Sequence, residues 1–306
     1  MMKNNSRPHL HIGSLVELHK LLGFATPKHP LFTVLRFQDF PPVELEDDMM
    51  LSADFYQITF KKGCCNKVIY GQSAFDFDGG VLSFFAPNQT FVKNGEVIPP
   101  GGFLILIHPD YIKATSLQTR IRSYHFFEYA VTESLILSEE EEVFIEQIFI
   151  QMEKESLRPI DRHSQDVIIS SLELLLTYAD RFYTRQFLTR KPKYSTLLAR
   201  FEKYLDDLIP TGAIPEQGVP NVAAIAAQFN LTPKYFSDLI RQHTGRSAQQ
   251  HIHDRLIEVA KEKLSGTALS VSEIAFLLGF EHSQSFSRLF KLKTNLTPTA
   301  YRGMLN

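Results

Sequence analysis

The sequence predicts an α+β chain of several domains: an N-terminal β-rich sandwich or small barrel, a helical hairpin after it, and a C-terminal all-α part with two helix-turn-helix units. Three observations predict it. Between about residues 30 and 130, short apolar runs alternate with tight-turn residues. Two segments of helical period follow. Near the C-terminus the chain echoes itself: Ile225-Ala226 recurs as Ile274-Ala275 and Asn230 as Gly279, an offset of 49, while Phe236, Leu239, Ile240 and Arg241 recur as Phe286, Leu289, Phe290 and Lys291, an offset of 50. The extra residue falls in the turn after Phe280.

Length and composition set the frame. The 306 residues suffice for about two domains. With 44% hydrophobic and 22% charged residues the balance is that of a soluble globular protein. No apolar run reaches the roughly 20 residues that span a bilayer, and the opening MMKNNSRPHLHIG lacks the apolar core of a secretion signal, so a cytoplasmic protein without membrane contact is expected. The two cysteines, Cys64 and Cys65, are neighbours and form no CxxC pattern, which fits a reducing compartment. The net charge of −2 hides an asymmetry. From Gly218 to Asn306 ten Lys and Arg face six Asp and Glu, a surplus of +4 that leaves −6 for the rest of the chain.

In the first region the runs Leu31–Phe37, Phe55–Lys61, Val81–Phe85 and Gly102–Ile107 read as strands, punctuated by Gly-Gly, Pro-Asn and Pro-Pro-Gly-Gly. Phe75, Phe77, Phe84, Phe85, Phe91 and Phe103 fit either an ordinary packed core or an aromatic-lined cavity for a small ligand. Ser138 then caps a helix opening with four glutamates, placed where the positive helix end favours acids. Phe144, Ile145, Ile148, Phe149 and Met152 give it an apolar stripe. A longer helix, about Ser164 to Phe187, carries Val167, Ile168, Leu172, Leu175, Tyr178, Ala179 and Phe182. This hairpin either packs within the chain or also forms a dimer seam. Thr189 to Lys193 reads as a hinge, about Ser195 to Leu208 as a further helix, and Ile209 to Pro220 as a Pro/Gly-rich linker.

In the first echo unit, Val222, Ile225, Ala226 and Phe229 recur at helical spacing, and Asn230 suits a left-handed turn. Thr232-Pro233 opens the next helix as cap and first residue. On the helical wheel Phe236, Leu239, Ile240 and His243 share one face, and Lys234, Ser237, Asp238 and Arg241 the opposite one. In the second unit Val271, Ile274, Ala275 and Leu278 precede Gly279. Phe286, Leu289, Phe290 and Lys293 face inward, while Gln284, Ser287, Arg288 and Lys291 face outward. Gln can pair with adenine and Arg with guanine, each contact giving about 1–3 kcal/mol of discrimination, and Lys can reach guanine or phosphate. Between the units Ser247 starts a helix ending near Gly266, long enough at roughly 27 Å to hold two such helices about one duplex turn apart.

With these residues in place, the C-terminal region resembles the AraC/XylS family of bacterial transcription regulators. Ala223–Phe229, Ser237–Arg241, Thr244-Gly245, Ser272-Glu273-Ile274-Ala275, Leu278-Gly279-Phe280, Ser283 to Lys291, Thr297-Pro298 and Tyr301-Arg302 carry the likeness, over about 90–110 residues. The resemblance implies a seven-helix domain that reads two successive major-groove segments of promoter DNA. By architecture it also implies a cupin-like sensing and dimerisation domain in the N-terminal half. The corresponding division is 1–137 sensing domain, 138–189 helical hairpin for dimerisation, 190–220 hinge, linker helix and linker, and 221–306 double helix-turn-helix core. The implied partners are double-stranded DNA, a second copy of the chain, a small-molecule effector whose pocket residues the sequence does not name, and RNA polymerase. The implied base-reading positions are Lys234, Ser237, Asp238 and Arg241, then Ser283, Gln284, Ser287 and Arg288, with Lys291 beside them. Asp238 departs from the basic or amide residue expected there. It can accept from cytosine, orient Lys234 or Arg241, or leave the second unit to supply most of the specificity, which is the reading favoured here.

An enzyme is the alternative, in the form of a cupin-type metalloenzyme fused to a DNA-binding domain. The metal motif of such barrels needs His-x-His with a nearby Glu and a later His, whereas residues 30–130 offer only His108 and His125 without that spacing. His9-Leu10-His11 falls in what reads as a mobile tail, and His251 and His253 lie two apart on a helix, facing different ways. No GxSxG, Walker or GxGxxG pattern occurs, so neither a catalytic residue nor a cofactor is expected.

Overall fold

The structure, a computed structural model, describes residues 8–41, 49–63, 68–70, 73–75, 80–92, 99–189, 191–209 and 218–304; the side chains of 68–70, 73–75, 91–92 and 191–195 are left aside. Cys64, Cys65, Phe77 and the core of the expected 209–220 linker lie outside the described residues, as do the side chains of Phe75 and Phe91. The chain divides into two compact units, residues 1–186 and 187–306. No described helix is long and apolar enough to cross a membrane.

The first unit contains β1 (His9–Ile12), α1 (Leu15–Leu21), β2 (Phe32–Arg36), β3 (Met50–Ala53), β4 (Tyr56–Lys62), β5 (Val68–Tyr70), β6 (Ser73–Phe75), β7 (Val81–Phe85), β8 (Phe91–Val92), β9 (Gly101–Ile107), α2 (Leu117–Arg120), β10 (Leu135–Ile136) and α3 (Glu139–Ser156). The helix α4 (Ser164–Thr189) carries the division in its last turn. The four strands expected from the sequence are β2, β4, β7 and β9 to within a residue or two. An α+β arrangement results, but among the described residues the strands form three separate sheets, in orders β1-β3-β8, β10-β7-β4-β9-β2 and β5-β6, and none closes on itself.

Register assigns the faces of the antiparallel five-stranded sheet. Arg36↔Phe103↔Phe60 and Val34↔Ile105↔Ile58 put Arg36, Phe60, Phe103, Ile105 and Phe84 on one face. That face is apolar, with the rings of Phe60 and Phe103 each 5.6 Å from Phe149 of α3, and Phe84 4.4 Å from Phe126 and 6.4 Å from Tyr183 of α4. Phe84 and Phe103 are therefore core residues. The other face carries Leu35, Leu104 and Leu106, which pack on Leu15 and Leu18 of α1 and on Leu22 just after it, and the hydroxyls of Thr33, Thr59 and Ser83.

The glutamates opening α3 do more than complement the helix dipole. Glu141 closes a capping box with Ser138, accepting from the Ser138 amide at 2.9 Å, and pairs with Arg185 of α4. Glu142 accepts from the Gly80 amide at 2.6 Å and pairs with Lys62 at 3.2 Å. Further along, Glu146 meets Lys62 at 2.8 Å, and Glu153 receives both Nε and Nη2 of Arg36 at 2.5 Å. Such a two-pronged pair fixes orientation as well as distance. Gln186, fully buried, accepts from the Ile136 amide at 2.9 Å and donates to the Ser134 carbonyl at 3.3 Å, which satisfies both ends of its amide.

Two expectations are corrected. His9 and His11 are not in a loose tail: they lie on β1, which pairs in parallel with β3, and both rings meet the Ser52 hydroxyl, at 2.8 and 3.0 Å. Alternate strand positions share a face, so the pair converges on one partner. The helix expected from Ser195 starts earlier, at Lys191, with Pro192 in its first turn, where a missing amide proton costs no helical hydrogen bond. The hinge residue Arg190 lies outside the described residues.

Gly102 makes a sharp test of the sheet. Its φ is +111°, and a Cβ there would lie 1.9 Å from the carbonyl oxygen of Phe60. Gly102→Ala should lower stability by at least ~2 kcal/mol, read from the urea midpoint; an unchanged midpoint would contradict this close approach.

Candidate nucleic-acid interface

The second unit is helical: α5 (Lys191–Leu208), α6 (Val222–Gln228), α7 (Pro233–Thr244), α8 (Ala248–Gly266), α9 (Val271–Leu277), α10 (Ser283–Thr294) and α11 (Pro298–Gly303). The implied count of seven is met among the described residues.

The echo is a backbone identity. Asn230 and Gly279 both adopt the left-handed conformation, at φ 55° and 82°. Each is followed by a residue whose amide closes back on the preceding helix: Leu231 to the Ala226 carbonyl at 3.1 Å, Phe280 to that of Ala275 at 3.0 Å. This closure ends the first helix of each unit and turns the chain into the second. Ala226 and Ala275 are buried at the turn, where a larger side chain would push the helices apart. Thr232 caps α7 by accepting from the Tyr235 amide at 3.3 Å, with Pro233 first in the helix.

The match continues beyond the stretch legible as an echo. Thr244 and Thr294 each donate to the carbonyl four residues back, at 2.8 Å, and accept from the amide two residues on. Gly245 and Asn295 are then left-handed, at φ 72° and 61°. Ser247 and Thr297 cap the helices that follow. The second helix of each pair thus ends and hands over in the same way.

Inside the unit, Phe236, Leu239, Ile240, Phe286 and Phe290 are buried, while Leu289 and His243 are half-buried. Lys293 turns inward as expected and ends on Asp254 of α8 at 2.8 Å. The nine outward candidates all lie outside the core. Arg241, Gln284, Arg288 and Lys291 are exposed, and Lys234, Ser237, Asp238, Ser283 and Ser287 are half-exposed. Ser237 donates to the Pro233 carbonyl at 2.7 Å, so its hydroxyl is left as an acceptor, suited to a base amino group rather than to phosphate.

Three features escaped the sequence reading. Tyr235 is fully buried, its ring 5.1 Å from Phe187, whereas Ser285, fifty residues on, is exposed. Arg302 donates to the carbonyls of Leu264 and Leu269, at 3.1 and 2.6 Å, and so ties α11 to both ends of the loop between α8 and α9. Arg255 of α8 meets Asp206 of α5 at 2.8 Å. Long-range ion pairs leave no periodic trace in a sequence. Among the described residues no three His, Cys, Asp or Glu are grouped to hold a metal ion.

Two helix pairs with polar outer faces, mounted on one shared helix, define a double helix-turn-helix DNA-binding domain. The helix-turn-helix domain family matches residues 225–304, and these residues are a domain of the AraC type. Curated relatives include the uncharacterized HTH-type transcriptional regulator YijO of Escherichia coli, 25% identical over 146 residues, 48% of each chain. The raffinose operon transcriptional regulatory protein RafR of Pediococcus pentosaceus is 28% identical over 138 residues, 45% of this chain and 47% of that one. The HTH-type transcriptional activator RhaS of Salmonella arizonae is 34% identical over 79 residues, 26% of this chain and 28% of its own. The matched stretch spans about half or less of these relatives. Among solved structures, the C-terminal domain of the response regulator yesN of Fusobacterium nucleatum is 22% identical, covering 35% of this chain and 98% of that one, at a TM-score of 0.32.

The left-handed turns give one prediction. Gly279→Ala should cost about 1 kcal/mol, since a Cβ disfavours this conformation by roughly 1–2 kcal/mol, whereas Asn230→Gly should be close to neutral. Equal urea midpoints for Gly279→Ala and the parent would contradict it. Acid gives another. His251 is lowered from 6.5 by burial and then by Arg246, and His253 by burial and then by Lys293. The unfolded chain therefore takes up these protons at higher pH than the folded one, so their effect is absent above about pH 6.5 and destabilising as pH falls below it. The urea midpoint should drop as pH falls below about 6.5, and the His251→Gln/His253→Gln variant should flatten that drop.

Proposed function

We propose that this protein is a sequence-specific regulator of transcription that binds double-stranded promoter DNA through α7 and α10. The observation that carries this is the paired geometry: two left-handed turns, two matched helix ends and two outward polar faces on one bridging helix. Lys234, Ser237, Asp238 and Arg241 would serve one major-groove segment, and Ser283, Gln284, Ser287, Arg288 and Lys291 the next. RafR and RhaS are named as an operon regulator and an activator, which supports the same role here. The second unit supplies most of the base discrimination, because Arg288 stands where the first has Asp238.

The N-terminal unit serves as a cupin-like sensing domain for a small effector. What supports this is the two-faced five-stranded sheet: one face is filled by aromatics under α3 and α4, and the other packs through Leu35, Leu104 and Leu106 against α1. The α3–α4 hairpin serves as a dimer seam, supported by exposed Val143 on α3 and by Val167 and Leu174, seven residues apart on one face of α4. RNA polymerase is a further partner of such a regulator.

Binding-site selection with the full chain tests the DNA role. Arg288→Ala should weaken binding by about 1–3 kcal/mol and relax choice at one base pair, and Arg241→Ala should cost less. Unchanged affinity and base preference in Arg288→Ala would sink the assignment. For the seam, Val143→Glu with Leu174→Glu should sediment as a monomer where the parent sediments as a dimer.

A further inference from the structure

One carboxylate gathers the ends of both reading helices. Asp254 lies in the second turn of α8. Its Oδ1 accepts from Lys293 Nζ at 2.8 Å, and its Oδ2 accepts from the Arg246 guanidinium. Lys293 is the penultimate residue of α10, and Arg246 follows Gly245, the left-handed residue that ends α7. The Asp254 and Lys293 side chains are only 25% and 24% exposed.

These contacts stand outside the repeat. Fifty residues after Arg246 comes Leu296, and fifty before Lys293 comes His243, so neither helix-turn-helix unit needs the arrangement to form. It is added between the units. Apolar packing on α8 tolerates small sliding and tilting, whereas a partly buried ion pair with a second cation on its other oxygen favours one register. A shift of one base pair moves a subsite by roughly one-tenth of a duplex turn, so a modest change in the tilt of α10 suffices to alter which spacing is accepted.

Resting on the DNA reading above, we propose that Asp254 is a positioning residue that sets the spacing and phase of the two subsites which α7 and α10 read. It touches no base. It acts through Lys293 and Arg246 on the relative placement of the two helices.

The test is selection by the full chain from DNA pools in which two randomised half-sites are separated by spacers varied one base pair at a time. The parent should enrich one spacing. Asp254→Asn and Lys293→Met, checked by circular dichroism to be folded, should also enrich neighbouring spacings, with the preference reduced about tenfold. Base preferences within each half-site should stay unchanged, and Asp254→Glu should keep the parent profile. The inference is overturned if Asp254→Asn and Lys293→Met keep the parent's spacing profile, or if they lose base preference within the half-sites to the same degree. A parent pool with no enriched sequence would overturn the DNA reading itself, and this inference with it.

Discussion

Burial of α8 on several sides is the constraint on which the helical unit depends. Ile252, Leu256, Ile257, Val259, Ala260 and Leu264 are all buried on this one helix. A stripe facing one neighbour would bury fewer, so α8 is a shared wall. Helices α7 and α10 pack on it, and α5 and α11 also lie against it. The unit is two overlapping three-part sandwiches, α5 with α6–α7 and α8, then α8 with α9–α10 and α11. Because α8 belongs to both, its rigidity becomes the rigidity of the spacing between α7 and α10.

Much of this was legible because its determinants are local. Apolar spacing of 3.6 residues, Asn230 and Gly279 at the turns, and Thr232-Pro233 at a helix start all act within a few residues, and each appears in the structure as expected. The strands β2, β4, β7 and β9 were equally legible from apolar runs between turns. Sheet order was not, because pairing β4 with β9 joins residues about forty to fifty apart and no local signal encodes it. The strand β1 was invisible for a related reason: His-Leu-His-Ile has little β character of its own and becomes a strand by pairing with β3.

The acids of α3 show how one residue can satisfy a local rule and a distant one together. Read locally, Glu139 to Glu142 complement a helix N-terminus. In the fold Glu141 also holds Arg185, and Glu142 holds Lys62 and the Gly80 amide. Local consistency made the helix predictable, and the same side chains then dock it on the sheet. Arg36 and Glu153 extend the docking to the far end of the helix. Such pairs add little through charge alone when exposed, but these sit partly under the helix, where orientation matters more than raw attraction.

The repeat is most informative where it fails. Its backbone copies are close, down to the two threonines that close α7 and α10, so the units share one solution for turning and ending. Their side chains have diverged in two directions. Inward, Tyr235 is buried against Phe187, while Ser285 is left at the surface, so the first unit is braced by a contact the second lacks. Outward, Asp238 stands where the second unit has Arg288, and Ser237 spends its proton on its own helix. The two outer faces therefore differ in charge: α7 presents Lys234, Asp238 and Arg241, and α10 presents Gln284, Arg288 and Lys291. The second has Arg288, Lys291 and Gln284 exposed on a helix held to α8 through Lys293. The two copies thus agree in backbone and differ in the side chains they bury and present.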